Sequence, residues 1–576
     1  MTLPTPNPVA GMQDIAAGLP TIAYFSMEIG LRPELPTYSG GLGVLAGDTL
    51  WSAADLGVPM VAVTLLHRKG YFRQELDDGG VQSEVDEIWS PEERLEPLVP
   101  IVSLSIGERR VYVRAFVDEI EGVRGHRIPV YFLDTDLPEN ADEDRALTDR
   151  LYGGDERYRL GQELVLGMGG FKMLRALGYE SRMLFHMNEG HSSLLTLALV
   201  EEELRGHECP ERPDTLKASA RQAAVFTTHT PVPAGHDSFA PELVTELLGE
   251  RRAETLRRLG CFEGELNMTH VGMELSRYIN GVAMRHGEVS REMFPERQIA
   301  SITNGVHISR WITDAMGELL DRRIPEWRAD NAYLRNAIGI PAHEIREAHG
   351  RAKAKLFDIV RERSGTELDP ERMTIGFARR AAEYKRPDFL FHDVERLRAI
   401  AATHPIQVVF AGKAHPRDEG GKAAIRRIFE AANTLDGSVK VIYLEDYNMG
   451  LARDLLGGVD VWLNNPTKPH EASGTSGMKA AVNGVPNLSV LDGWWIEGHV
   501  EGVTGWSIGD DPWIPSDTDS EAHSMYDKLE QAVLPLYYGD AEAWSRVMQS
   551  SIALNGSFFN TQRMVKQYVR HAYAPE

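Results

Sequence analysis

The stretch Glu471-Ala-Ser-Gly-Thr-Ser-Gly-Met-Lys-Ala-Ala-Val-Asn-Gly484, followed shortly by Leu491-Asp-Gly-Trp-Trp-Ile-Glu497, decides how the chain is read. It comes after Val459-Asp-Val-Trp-Leu463, of strand composition, and runs into Met478-Lys-Ala-Ala-Val482, of helical composition. Gly474, Thr475, Ser476 and Gly477 therefore read as a small-residue turn at a helix N-terminus. Main-chain N–H groups lack acceptors there, and the helix dipole favours an anion. Lys479 stands two residues beyond that turn, and Glu471 eight residues before the lysine. One loop thus offers an anion cradle, an amine and an acid. The plainer alternative is a Gly/Ser-rich loop with a surface lysine.

Upstream, apolar runs at Met373–Ala378, Ile406–Ala411, Val439–Leu444 and Val459–Leu463 are spaced by helical segments. That alternation predicts a parallel, doubly wound sheet. Arg379-Arg-Ala-Ala-Glu-Tyr-Lys-Arg386 leaves the first of these strands. Its four cations make an anion site if they face a cleft, and a solvated basic loop if they do not.

The first half repeats the pattern. A strand at Thr21–Ser26 is followed by Tyr38-Ser-Gly-Gly-Leu-Gly43 and a helical run from Val44 to Leu56, an arrangement that aims N–H groups at a phosphate. Glycines there also serve turn geometry alone. Three apolar runs end in polar groups: Met183–His191, Ala224–Pro231 and Ala300–Val306. Ligand sites of open α/β sheets lie at such carboxyl ends. His191 and His229 also suit capping or packing, and neither has a metal-ligand spacing, so no metal site is expected. Alternation over Arg110–Phe116 predicts an antiparallel pair, and helical composition returns at Tyr152–Leu177, Asp330–Arg363 and from Met525, Ala541 and Thr561. Two α/β units joined near residue 305 are expected: residues 1–305, residues 306–555, and a final helix, 556–576, packing back on the first.

The chain has 576 residues, more than one core usually organises. Its formal charge of −24 argues against binding nucleic acid or anionic membranes, so any anionic ligand needs a local basic pocket. Cys209 and Cys261 alone give no disulfide framework. With no basic-apolar leader and no apolar run of about 18 residues, a cytoplasmic protein is expected.

Glu471-Ala-Ser-Gly-Thr-Ser-Gly-Met-Lys479 resembles the pyridoxal-phosphate lysine segment of the glycogen/α-glucan phosphorylases, glycosyltransferase family 35. Arg380…Glu383-Tyr-Lys-Arg386, Ser39-Gly-Gly-Leu-Gly43, Thr228-His-Thr230 and Thr303-Asn-Gly305…Arg310-Trp311 resemble that family in its order, with Asn188-Glu-Gly-His191 a looser match. The resemblance spans most of residues 21–500. It implies a GT-B fold, α/β with two Rossmann-like doubly wound domains facing a central cleft, and reversible phosphorolysis of α-1,4-glucan or maltooligosaccharide ends by inorganic phosphate to α-glucose 1-phosphate. Lys479 would carry pyridoxal phosphate, with Arg379, Thr475 and Ser476 at the cofactor phosphate and Tyr447 and Trp311 near its ring. Arg380, Lys385 and Gly41 would hold the substrate phosphate, with Gly40 and Leu42 beside it. His229, Asn304, Tyr384, Glu471, Ser473 and Gly474 would bind glucosyl hydroxyls, with Asn188 and His191 on the same side. A homodimer is a further expectation. Nucleotide-sugar glucosyltransferases of the same fold share the glycine loop but typically carry glutamate where Lys479 stands; that activity, or a non-catalytic glucan-binding role, is the alternative. The chain departs from the pattern at Ala382 and Ser476-Gly477, and residues 68–127 match poorly.

Overall fold

The computed structural model describes residues 16, 18–179, 183–206, 213–262, 264–435 and 437–574; Cys209 and most of the Pro/Gly/Ala-rich opening segment lie outside them. The fold is α/β, built on two large sheets. The first has ten strands, nine in a continuous order. Thr21–Ser26 pairs in parallel with Met60–Leu65 on one side and Met183–Asn188 on the other. Beyond Met183–Asn188 lie Ala224–Thr227, Tyr278–Gly281 and the two-residue strand Ala300–Ser301. On the other flank Arg127–Asp134 is parallel to Met60–Leu65, and Arg109–Glu121 turns the edge antiparallel, as the alternation in this segment predicts. The second sheet has six parallel strands, ordered Lys440–Leu444, Ile406–Ala411, Met373–Ala378, Val461–Asn464, Asn487–Val490 and Gly505–Ile508.

Parallel strands covered on both faces read as near-continuous apolar runs. Met60–Leu65, Met183–Asn188, Met373–Ala378 and Ile406–Ala411 are buried at every residue. One core cluster surrounds the second sheet, and two others cover opposite faces of the first. Met564, Val565, Tyr568 and Tyr573, at the end of the chain, pack into one of the first-sheet clusters, and Val306 pairs with Asn560. The helical stretch after Tyr152 is continuous but contains a wide turn, Val165–Gly169, between Glu156–Leu164 and Gly170–Ala176.

Strand order reverses between Thr21–Ser26 and Met183–Asn188 in the first sheet, and between Met373–Ala378 and Val461–Asn464 in the second. Such switch points open a crevice beyond the strands' carboxyl ends, because successive connections leave in opposite directions. The segments leaving these four strands carry the glycine loop, Glu189-Gly-His191, the cationic loop and Glu471–Lys479. The poorly matching region supplies a cross-connection. In the hairpin Arg73–Leu76/Gln82–Val85, Gln74 and Gln82 donate to the Gly412 and Ala414 carbonyls at 2.8 and 2.9 Å.

Candidate functional site

Two helices of the crevice begin alike. Gly41–Leu56 starts after Gly40, and Thr475–Val482 after Gly474; neither has a side-chain cap. Elsewhere Asp393, Asp418, Asn448, Asp517, Asp540 and Asn560 cap their helices through side-chain oxygens. An uncapped N-terminus leaves its first N–H groups available to an anion. Both helices begin three residues earlier than their composition suggests. Gly41-Leu42-Gly43 and Thr475-Ser476-Gly477 are therefore first turns of helix, not turns before one. Gly474 takes the left-handed conformation, φ 85°, that lets the chain enter the second helix.

Lys479, on the last turn of Thr475–Val482, is 7% exposed. Its Nζ lies 3.8 Å from the centroid of the Trp311 ring and makes no hydrogen bond or ion pair among the described residues. Burial pulls its pKa down to about 8; Asp48 opposes that shift and Arg310 adds to it. The result is a buried amine on an aromatic face whose neutral, nucleophilic form is populated near neutral pH.

Glu471 joins the cationic loop to this segment. Arg379 Nη2 and Lys385 Nζ both donate to its Oε2, the former at 2.5 Å. Burial favours the protonated acid, but the Arg379 and Lys385 charges outweigh it and hold the Glu471 pKa at about 2. Arg380 is exposed and makes no ion pair among the described residues; the titratable groups that bear on it electrostatically include Tyr384, Tyr71 and Tyr152. Arg386 is not part of the cluster: with φ 46° it turns onto the Asn465 and Pro466 carbonyls and pairs with Glu521 at 2.6 Å. Two of the four cations thus share Glu471, Arg380 interacts with Tyr384, and Arg386 serves the loop behind. Lys385 Nζ also lies 4.5 Å from the Tyr384 ring centroid, and Tyr447 is half-buried near Arg379 and Tyr38.

The Glu471–Ser473 backbone is held from behind. Asp492 Oδ2 accepts the Glu471 N–H at 2.9 Å and its Oδ1 the Gly493 N–H at 2.9 Å, while Trp494 N–H donates to Ser473 O at 2.9 Å. Trp494 and Trp495 are 2% and 1% exposed. They are core residues, and Trp494 packs against Gly474 and Gly477.

On the first-sheet side, His229 Nε2 donates to Asn188 Oδ1 at 2.7 Å, and the Asn188 amide donates to Ser26 Oγ at 3.1 Å. Burial pushes the His229 pKa down to about 3. The neutral ring with its proton on Nε2 leaves Nδ1 as an acceptor. Glu189, strained at φ 75°, accepts the His229 N–H at 2.7 Å and fixes that loop. His191 lies beside Tyr152 and 3.4 Å from Asp237, with its pKa lowered to about 3 by burial. Among the described residues no group of side chains with metal-holding potential occurs.

Among the residues singled out from sequence as candidate ligands of the site, Asn304 Oδ1, Ser473 Oγ, Arg379 Nη1 and His191 Nδ1 are buried polar atoms with no hydrogen-bond partner among the described residues. Native interiors rarely leave such groups unpaired, so these atoms are suited to a ligand. Sequence reasoning missed Glu28, whose Oε2 accepts from Ser39 N–H at 2.5 Å and Gly40 N–H at 3.2 Å and whose Oε1 accepts from Tyr152 at 2.8 Å. A carboxylate two residues beyond a buried strand's carboxyl end was the available signal. It also missed Asp48 and Asp492, acids embedded in apolar or glycine-rich runs.

A family model for carbohydrate phosphorylases matches residues 234–503. Maltodextrin phosphorylase of Thermococcus litoralis is 40% identical over 599 aligned positions, covering 96% of this chain and 70% of that protein. Glycogen phosphorylase of Mycobacterium tuberculosis is 37% identical, covering 97% and 71%, and that of Aquifex aeolicus 35% identical, covering 96% and 86%. With this extent of similarity, and with the motif residues on segments leaving the strand switch points of both sheets, the chain belongs to the carbohydrate phosphorylase family.

Proposed function

We propose that the protein is an α-glucan phosphorylase that transfers the terminal glucosyl unit of maltodextrin or glycogen to inorganic phosphate, with pyridoxal phosphate held at Lys479. The observation that carries this reading is the Lys479 amine on the Trp311 ring, without a hydrogen-bond or ion-pair partner among the described residues, on the helix that follows the Glu471 loop bound to Arg379 and Lys385. The residues fit the cofactor. The amine suits the aldehyde, the indole face and half-buried Tyr447 suit the ring, and the uncapped first turn at Thr475-Ser476 with Arg379 Nη1 suits the phosphate. When bound, pyridoxal phosphate supplies a phosphate group that exchanges a proton with the substrate phosphate.

Arg380, the cation without a carboxylate partner, and the Gly41 N–H would hold the substrate phosphate; two phosphates brought together repel unless cations separate their charge. Asn304 Oδ1, Ser473 Oγ, His229 Nδ1 and the unbonded Oε1 of Glu471 would orient the glucosyl hydroxyls. The substrate phosphate would then protonate the leaving oxygen and stabilise the developing positive charge, without the usual pair of glycosidase carboxylates. The test is chemical. Borohydride treatment of the pyridoxal-loaded protein should fix the label on the peptide containing Lys479. Absence of label after loading with excess cofactor would overturn the reading and favour a nucleotide-sugar enzyme.

A further inference from the structure

Asp48 lies on the helix that begins at Gly41 and is 1% exposed. Its carboxylate is saturated by groups from one distant segment. Oδ2 accepts the Trp311 indole N–H at 2.8 Å and the His307 main-chain N–H at 3.1 Å, and Oδ1 pairs with Arg310 Nη1 at 2.5 Å. Arg310 in turn donates to the Gly30 and Leu31 carbonyls at 2.7 and 2.9 Å, and the His307 ring is occupied by Asp55 at 2.9 Å. The Trp311 indole therefore cannot rotate without losing the acceptor of its N–H, and its face carries Lys479 Nζ. An acceptor on the indole N–H pushes electron density into the ring and strengthens its hold on a cation. Among the described groups, the charges that bear on the Lys479 amine are Asp48 and Arg310, acting in opposite directions.

We infer that Asp48 is a positioning residue that sets the basicity of Lys479. It fixes the indole on which the amine rests and supplies the counter-charge that the amine lacks by direct contact. The inference rests on Lys479 being the cofactor lysine. It ties the helix that presents Gly41 to the residue that anchors the cofactor, so the two phosphate-side elements cannot shift independently.

The test follows capture of pyridoxal phosphate by the full-length protein freed of cofactor, read by absorbance across pH 6–10. Capture is condensation of the neutral amine with the aldehyde, releasing one water, so its rate reports the fraction of neutral Lys479. In the wild type the rate should inflect near pH 8. Asp48→Asn should move the inflection down by about one unit or more, because removing the counter-charge favours the neutral amine. Trp311→Phe, which keeps the charge but loses the N–H bond, should move it less. Should Asp48→Asn fail to fold, Arg310→Gln supplies the opposite test: loss of a competing cation should move the inflection upward. An unchanged inflection in folded Asp48→Asn, a full shift in Trp311→Phe, or a null or downward shift in Arg310→Gln would overturn the inference. Failure of the wild type to capture the cofactor at all would instead overturn the proposed function.

Discussion

Glu471 and Asp492 hold opposite protonation tendencies while sharing one hydrogen bond: the Glu471 N–H donates to Asp492 Oδ2 at 2.9 Å. Cations beside Glu471 hold its pKa at about 2, whereas burial, aided by the Glu471 charge, pushes that of Asp492 up to about 7. The sugar-facing acid proposed here is thus kept ionised, and the acid supporting its backbone is not fully ionised near neutral pH.

The Glu471 shift fixes the sign of an acid-stability effect. A folded-state pKa below the usual 4.5 means that the ionised carboxylate contributes stability in full above about pH 4.5 and loses it as pH falls toward 2. Glu471→Gln should therefore show a flatter stability curve than the wild type over that window, measured by urea midpoints. It should also be less stable at pH 7, by about 3 kcal/mol, because Arg379 and Lys385 remain buried without their anion.

Asp492 predicts the reverse slope. Its folded pKa of about 7 lies above the usual 3.8, so its favourable contribution is complete below about pH 3.8 and lost as pH rises to 7. The stability of Asp492→Asn relative to the wild type should increase across that interval and level off above it. A difference independent of pH would contradict the assigned protonation.

Gly493 offers a steric test. It takes φ 53°, and a Cβ there would meet the Ser473 carbonyl at 2.6 Å and the Glu471 carbonyl at 3.0 Å. Gly493→Ala should cost about 1–2 kcal/mol from the left-handed backbone alone. Displacement of the Glu471–Ser473 segment should add to that and lower kcat/KM further, measured by thermal unfolding and steady-state kinetics.

Arg563 holds the other wall. It donates to the Thr303 and Asn304 carbonyls at 2.5 and 2.8 Å, and Thr303 Oγ1 donates to Glu497 at 2.7 Å. Arg563→Met leaves two carbonyls without their donor, at a cost of about 2 kcal/mol. If Asn304 orients the glucosyl unit, KM for maltodextrin should rise in this variant; an unchanged KM would assign Arg563 to stability alone.

The strands and the convergence of their carboxyl ends were legible because parallel strands require continuous apolar runs, and those runs end in Ser26, Asn188 and Arg379. Helix starts were misplaced by three residues because small residues such as Thr475-Ser476-Gly477 suit both a turn and an uncapped first turn. Arg386 could not be separated from its neighbours because a left-handed residue reverses side-chain direction without changing composition. Asp48 and the hairpin contacts of Gln74 and Gln82 depend on partners hundreds of residues away, and Asp492 on a loop beyond the neighbouring strand 21 residues off; local pattern holds no record of such pairings.

Lys479 is the residue on which the proposed activity and the proposed cofactor meet. Pyridoxal-loaded wild type given maltodextrin and inorganic phosphate should release α-glucose 1-phosphate, followed by phosphorus NMR, while Lys479→Ala treated identically should release none above background. Equal release by the two proteins, or none by a loaded wild type, would contradict the central claim.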